Sequence, residues 1–507
     1  MEYEIKGNYF FGKYNSSSRK GPEGVEHFIK RESPANVDNL LWEMPIVYSQ
    51  VDESIESAKE GFQFWKRTSL EDRINFLKKY QEQVIAKKDD IARAISLEMG
   101  KPLWEALGEA NSVIGKVDIT INESLPRVHD KKYKEIMPDV DGELLYRPIG
   151  PSLIIGPFNF PCHLANTQIL AALITGNTII FKPSEKTAYS AQLLIDCFHE
   201  AGFPKGVINL MQGDGEIARR LINSKDIKGV YFTGSKDVGL EILKSTCNDL
   251  TKLVALELGG KNPAIIHHDC NIDLAIEELL KAAFLTSGQR CTSTSIVAIH
   301  ENIAEGFIER FHSLSKGIIV DHPIDYEVEP FMGPLVDQRA VDNYLLYMGM
   351  AKREGIEEVM RGKQISKRFN GFYVSPSIHF TKSWNSDSHF LSSEIFGPNC
   401  TFVTYSDLDE AINIANSTEY GLAAGIFTQD ESIFRKCYED IEAGLINFNR
   451  STCGASPKLP FGGLKNSGNY RPAAVSMIDS CVLQKASLQL KKTEASGLNT
   501  IKGLKLP

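Results

Sequence analysis

Two side chains stand out for chemistry. Cys291 lies in Phe284-Leu-Thr-Ser-Gly-Gln-Arg-Cys-Thr-Ser293, directly after a Gly-Gln-Arg turn, and Glu257 opens Glu257-Leu-Gly-Gly-Lys-Asn-Pro263. A thiol that attacks a carbonyl carbon needs a base or water activator beside it, and one cysteine cannot fill both roles. The two glycine-marked settings make Cys291 and Glu257 the candidate pair. A third group is Asn159 in Gly156-Pro-Phe-Asn-Phe-Pro161, between a strand end and a helix. Its amide N–H can serve a developing oxyanion, although the pattern taken alone favours a plain turn residue.

Other motifs could hold a ligand beside that thiol. Phe181-Lys-Pro-Ser-Glu185 ends a buried apolar run. Open α/β sheets bind ligands at the carboxyl ends of their strands, so Lys182 and Glu185 could hold ribose hydroxyls; a solvated pair at a helix start is the alternative. A carboxylate there would repel a 2′-phosphate and so favours NAD over NADP. Gly213-Asp-Gly-Glu-Ile-Ala218 fits a glycine-rich dinucleotide loop but lacks the acidic residue expected about 20 positions on. Phe232-Thr-Gly-Ser235, followed by Gly239, also joins a strand to a helix, where N–H groups suit a pyrophosphate or where Ser235 is an ordinary N-cap. In Ser393-Glu-Ile-Phe-Gly-Pro398, a strand-like reading turns Glu394 and Phe396 to the same side, a carboxylate for a second ribose and a ring for a nicotinamide. A surface Glu and a core Phe would look the same.

These residues need a large scaffold. At 507 residues the chain exceeds one compact core, so two or three domains are expected. An apolar share of 42%, a charged share of 24% and a net charge of −9 describe an ordinary soluble protein and argue against nucleic-acid or anionic-membrane partners. No basic n-region with an apolar core opens the chain, and the most apolar stretch, 169–181, is broken by Thr175-Gly-Asn177. The nine cysteines show no CxxC pairing, which reads as reduced thiols in a cytoplasmic protein. No metal site is expected: His267-His268-Asp269 reads as a strand end, and Asp141-Gly142 reads as a hairpin turn rather than a calcium loop.

Residues 52–125 carry helical periodicity, with a capping box at Ser69-Leu-Glu-Asp72 and an apolar stripe Leu70, Ile74, Leu77, Val84, Ile91. From residue 148 short β-rich runs (153–155, 178–181, 207–211, 230–232, 253–256) alternate with helical segments, the mark of parallel βαβ units in an open sheet. A second alternating series follows Glu257 through 295–299, 401–405 and 445–448. The basic 126–147 stretch reads as an excursion that pairs with the C-terminal region, and 491–507 as a poorly ordered tail.

In order and spacing these motifs, with Pro460-Phe-Gly-Gly463, resemble the aldehyde dehydrogenase superfamily over nearly the whole chain. The resemblance implies an α/β fold of two open α/β domains, a Rossmann-like cofactor domain (1–125 and 148–256) and a catalytic domain (257–450). A small β oligomerisation arm (126–147 and 470–490) would complete it. It implies that Cys291 is the nucleophile, Glu257 the general base and Asn159 the oxyanion donor. Lys182, Glu185, Gly234, Ser235, Gly239, Glu394 and Phe396 would line the site of an NAD cofactor, and Gly213 would not. The partners implied are a small aldehyde and further copies of the chain, in a homodimer or a dimer of dimers. Gly100-Lys-Pro-Leu-Trp-Glu-Ala106, Gly454-Ala-Ser456 and Ser467-Gly-Asn-Tyr-Arg-Pro472 resemble the branch that oxidises a succinylated glutamate semialdehyde in arginine catabolism. Lys261 and Cys162 depart from that branch's pattern. By the same resemblance Thr292, Gly454 and Ala455 are the groups that would hold the substrate's carboxylate. A CoA-acylating enzyme, a cysteine hydrolase and a catalytically silent protein are the alternatives. Glu257, the absence of a histidine motif, and the intact Cys291, Glu257 and Asn159 argue against them in turn.

Overall fold

The computed structural model describes residues 3–15, 25–491 and 502–503; the expectation for the 491–507 tail falls almost entirely outside them. Five helices matter to the site: α1 (Gln50–Trp65), α2 (Leu70–Ala86), α3 (Lys88–Met99), α4 (Leu103–Ile119) and α5 (His163–Ile174). The Ser69 hydroxyl accepts the Asp72 N–H at 3.0 Å and so starts α2. Leu77, Val84 and Ile91 are fully buried, whereas Leu70, expected in the same stripe, faces solvent in the first turn. Ala106, Ala110, Val113 and Val117 turn one side of α4 into the first core. α5 is buried on every side from Ala165 to Ile174, with polar Asn166 satisfied by the Tyr80 hydroxyl and the Val113 carbonyl.

Two seven-stranded sheets carry the molecule. The first runs Leu253–Glu257, Gly229–Thr233, Ser152–Ile155, Ile179–Lys182, Ile208–Leu210, Asn8–Phe10, Lys13–Asn15. Its first five strands are parallel, and the N-terminal hairpin adds an antiparallel edge. The second runs Glu357–Met360, Ser377–Thr381, Asn399–Tyr405, Thr294–His300, Asn262–Ile266, Ala423–Phe427, Leu445–Phe448. It is parallel except at Glu357–Met360. Nearly continuous Val/Ile/Leu/Phe runs in the inner strands of both sheets suit burial on two faces. Glu257 ends a strand of the first sheet and Asn262 begins one of the second, so carboxyl ends of one sheet meet amino ends of the other across four residues.

A separate three-stranded sheet pairs Lys131–Met137 and Val140–Pro148 with Val482–Leu490. The hairpin turn falls on Pro138-Asp139, not on Asp141-Gly142, which lie within the second strand. Pro138 pre-sets the turn and Asp139 takes φ +59, a conformation an Asp tolerates. The Asp141 carboxylate is then free to accept the Glu135 N–H at 2.8 Å. Residues Val475–Cys481, within the expected bridging region, place Met477, Ile478 and Cys481 in the first core.

α1 crosses the turn before Ile208–Leu210 at backbone contact. A Cβ at Gly206, whose φ is +78, would lie 2.2 Å from the Ser57 carbonyl oxygen, while at Gly202, with φ +77, it would meet nothing. Both alanine substitutions carry left-handed strain of about 1 kcal/mol. We expect Gly206→Ala to cost at least about 2 kcal/mol more because α1 must shift. Thermal unfolding of the two variants checks this, and equal losses would remove the close-approach argument.

Candidate active site

The turn that delivers Cys291 is strained and clamped. Thr286 and Ser287 have φ of +56 and +55, unusual for residues with a Cβ. Buried Glu105, on α4, holds this turn. Its carboxylate accepts the Thr286 N–H at 3.2 Å, the Thr286 hydroxyl, and Arg290 Nη2 at 2.6 Å. Arg290 Nε also donates to Thr286 Oγ1 at 2.8 Å, and its guanidinium lies over the Phe160 ring. Burial alone would raise Glu105, but Arg290 and Lys101 outweigh it and hold the carboxyl below its usual range. Lys101 and Glu109 form a second pair at 2.6 Å with both side chains fully buried.

Cys291 stands at the wall of a cavity of about 540 Å³. Its own carbonyl accepts Asn262 Nδ2 at 2.7 Å, and a Cβ on Gly260 would sit 2.5 Å from that oxygen, so only glycine fits there. Asn159 is buried beside the same loop. Its Oδ1 accepts the Phe160 N–H at 3.1 Å and its Nδ2 donates to the Gln289 carbonyl at 2.9 Å, leaving the second amide hydrogen uncommitted. Glu257 is 1% exposed, and neither carboxyl oxygen has a hydrogen-bond partner among the described residues. Burial raises it well above the carboxylate range, opposed only by Arg471. The Cys291 thiol is pushed up by burial and then by Glu257, Glu394 and Cys453, with Arg290 opposing.

Thr292, Gly454 and Ala455 line the same cavity as Cys291 and Arg290. The Thr292 hydroxyl is turned to Cys453 Sγ at 3.5 Å, and Gly454 takes φ +80. The other candidates gather at strand ends. Lys182 closes Ile179–Lys182 with its Nζ 3.7 Å from the half-exposed Glu185 carboxylate. Gly234 donates its N–H to the Glu257 carbonyl at 3.0 Å. Ser235 is the N-cap of Lys236–Thr246, yet its hydroxyl makes no capping bond. Gly239 packs in that helix's first turn where a Cβ would lie 2.7 Å from Leu258.

The Glu394–Phe396 segment is a loop, not a strand. It leaves the short helix His389–Ser392, and Phe396 has φ +55 before Gly397-Pro398, so residues two apart do not share a face by strand geometry. Glu394 instead reaches Gly260, accepting its N–H at 3.0 Å, and burial pushes it up to about 7. Phe396 meets Phe158 edge-on at 5.9 Å. Glu394, Phe396, Gly260 and Arg290 still border one crevice.

Sequence reasoning gave Glu105, Glu109 and Asn262 no role in the site. The available signal was Lys101, Glu105 and Glu109 at four-residue spacing, which places three charges on one face of α4 and its approach. Such a face ordinarily meets water.

A half-buried thiol, a carboxyl without a partner among the described residues, an amide donor and a glycine-rich cleft between two α/β sheets are what a thiol enzyme acting on carbonyl carbon beside a dinucleotide would need. The model of the aldehyde dehydrogenase family matches residues 22–486, and the chain belongs to that family. An N-succinylglutamate 5-semialdehyde dehydrogenase of Legionella pneumophila (strain Corby) is 36% identical over 494 residues, covering 96% of this chain and 95% of that protein. Among solved structures, an NAD-dependent aldehyde dehydrogenase from Sinorhizobium meliloti has a TM-score of 0.91 at 26% identity, covering 97% of each chain. A 1-pyrroline-5-carboxylate dehydrogenase from Thermus with bound NAD has a TM-score of 0.87 at 26% identity, covering 95% of this chain and 92% of that one.

The like charge of Glu257 delays ionisation of Cys291. Alkylation of Cys291 by iodoacetamide, followed by mass spectrometry against pH, is expected to reach half-maximal rate above the ordinary thiol value of about 8.5. Glu257→Gln removes that charge and should move the profile to lower pH. An unchanged profile would show that the two groups do not sense each other.

Proposed function

We propose that this enzyme oxidises an aldehyde to a carboxylate by way of a thioester on Cys291, with NAD as cofactor and N-succinylglutamate 5-semialdehyde as its substrate. The observation that carries the chemistry is Glu257: a buried carboxyl with no hydrogen-bond partner among the described residues, set beside a cavity thiol. Burying such a group unpaired is costly, and a structural role offers nothing to offset it. The substrate reading rests on the named relative that covers 96% of this chain. Cys162 and Lys261, the departures from that branch, are not among the residues lining the cavity.

The chain's residues fit a nicotinamide dinucleotide. Lys182 and Glu185 stand at a strand's carboxyl end for ribose hydroxyls, Glu185 favouring NAD over NADP. Gly234, Gly239 and the uncommitted Ser235 hydroxyl, at the start of an 11-residue helix, suit a pyrophosphate. Glu394 and Phe396 border the crevice next to the thiol. When bound, NAD supplies the hydride acceptor that brings the acyl carbon to the oxidation level of an acid.

Cys291 releases its proton to water and adds as the thiolate to the aldehyde carbon. The free Asn159 amide hydrogen and the Cys291 backbone N–H meet the oxyanion, each contributing on the order of 3 kcal/mol. Arg290, fixed by Glu105 and Thr286, keeps positive charge at the cavity wall. Glu257 then takes a proton from water, which hydrolyses the thioester. A raised carboxyl is a better base than an ordinary one, and only its ionised fraction acts, so hydrolysis should quicken as pH rises through its pKa. Water activation by Glu257 also disfavours transfer to CoA.

We further infer a cytoplasmic homodimer or dimer of dimers. Nine free cysteines support the reducing location. Exposed Leu483, Leu488 and Leu490 on the outer strand of the three-stranded sheet support pairing between copies.

NADH absorbance with aldehyde and NAD but no CoA tests the reading, across succinylglutamate semialdehyde, glutamate semialdehyde and aliphatic aldehydes, each also with NADP. The succinylated substrate with NAD should give the highest kcat/KM. Cys291→Ala should abolish turnover, and Glu257→Gln should leave an NADH burst followed by turnover slowed at least about 100-fold. No NADH with any aldehyde ends the dehydrogenase reading, and undiminished turnover in Glu257→Gln removes that residue as the base.

A further inference from the structure

The charges in and directly behind the cavity wall do not balance. Arg290 is matched by Glu105 and Lys101 by Glu109, each at 2.6 Å. Lys116 is the remaining cation: it is 1% exposed, and its Nζ has neither a hydrogen-bond partner nor a carboxylate among the described residues. On α4 it follows Glu105, Glu109 and Ser112 at helical spacing and adjoins Gly115; those four line the cavity, and Lys116 stands enclosed directly behind them. Across from it, His163 at the start of α5 also lines the cavity, and its Nδ1 is buried without a partner. Lys116 and His163 sense each other, and burial drives His163 down to about 4, so the imidazole is neutral at pH 7. Burial lowers Lys116 only to about 8, so it remains a cation there.

The same stretch of wall has room. Gly108 and Gly115 both line the cavity, and a Cβ at either would meet nothing within 4 Å. Two turns of α4 thus present bare backbone to the space that leads from Cys291. Buried ammonium groups are normally paired, because removing one charge from water without a partner is strongly unfavourable. A missing anion, extended space beside it and an orphan imidazole nitrogen together describe half of a binding site.

We propose that Lys116 is a specificity-determining residue, the counter-charge for a carboxylate that the aldehyde carries at the far end of an acyl arm lying along Gly108 and Gly115. His163 Nδ1 serves the same end of the arm as a neutral polar contact. This rests on the reading of the chain as an aldehyde dehydrogenase for a succinylated semialdehyde and names the residue that reads the succinyl group. Lys116 touches no reacting atom, so its effect belongs in substrate affinity rather than in the chemical step.

The test compares N-succinylglutamate 5-semialdehyde with 5-oxopentanoate, a semialdehyde of the same reach that lacks the succinyl arm, in wild type, Lys116→Met and Lys116→Arg with NAD. In Lys116→Met the ratio of kcat/KM for the succinylated over the short substrate should fall between about 10- and 100-fold, the worth of one charged hydrogen bond. That loss should sit in KM, and Lys116→Arg should recover much of it. A merely structural lysine would lower both substrates alike, and that result, or an unchanged ratio, overturns the proposal. If Lys116→Met does not fold, inhibition of wild-type 5-oxopentanoate oxidation decides. N-succinylglycine should compete at least about 10-fold better than its analogue with the succinyl carboxylate amidated, and equal competition overturns it. A wild type that shows no preference for the succinylated aldehyde ends the substrate reading and Lys116 with it. A preference that survives Lys116→Met ends Lys116 alone.

Discussion

The carbonyl of the cavity thiol Cys291 hangs on a single amide. Asn262 Nδ2 donates to the carbonyls of Cys291 at 2.7 Å and Ser293 at 2.9 Å, while its Oδ1 accepts the Ala423 N–H at 3.0 Å. Three strands of the second sheet, starting at Asn262, Thr294 and Ala423, are tied at their amino ends by this one side chain. Gly260 makes the tie possible, since any larger residue would collide with the Cys291 carbonyl. Every further alignment, of thiol with carboxyl, amide and cavity, inherits its accuracy from that anchor. An amide fits the task better than a carboxylate, because two carbonyls must be met by donors and one N–H by an acceptor.

Around this anchor the charges are sorted into paired and unpaired groups. Lys101–Glu109 and Arg290–Glu105 are closely paired and almost wholly buried. Buried pairs of this kind add little net stability, because desolvation cancels most of their attraction. Their value is positional: Glu105, with Arg290, holds the left-handed Thr286, while the Ser287 hydroxyl donates to the Gly333 carbonyl at 2.8 Å, and Glu109 also accepts the Cys162 and His163 N–H groups at the start of α5. Glu257 and Lys116 are left without hydrogen-bond partners among the described residues, one beside the thiol and one behind the cavity wall. Strain and unpaired charge are concentrated at the cavity, and the surrounding sheets supply the stability to maintain them.

What could be read from the chain alone follows from range. Strands buried on both faces announce themselves as apolar runs, so the strand ends that carry Lys182, Gly234 and Glu257 were legible, and local capping made the start of α2 legible too. Backbone conformation was harder. Nothing in Ser393-Glu-Ile-Phe-Gly-Pro398 declares that Phe396 adopts a left-handed φ, and Pro138-Asp139 took the turn that Asp-Gly appeared to own. Residues that act across long sequence separations were invisible. Glu105 reaches Thr286 and Arg290 from an earlier helix, and a charged helical face gives no local sign that the structure will bury it.

The rim of the cleft is built on a different principle from its floor. Lys186, which also lies over the Phe158 ring, pairs with Asp337 at 2.6 Å, and Lys236 pairs with Glu419. Each pair links a segment beside the first sheet to one beside the second, and each keeps partial access to water. Exposed pairs of this sort are worth up to about 1 kcal/mol and are screened by salt. They can therefore break and re-form at little cost to the fold. The Asn262 tie and the Glu105 clamp are buried and cannot be exchanged for water so cheaply. A cleft with a soft electrostatic rim over a rigid hydrogen-bonded floor can admit and release a large ligand while the thiol's backbone stays fixed, and both halves of that division rest on which polar groups the two sheets leave within reach of solvent.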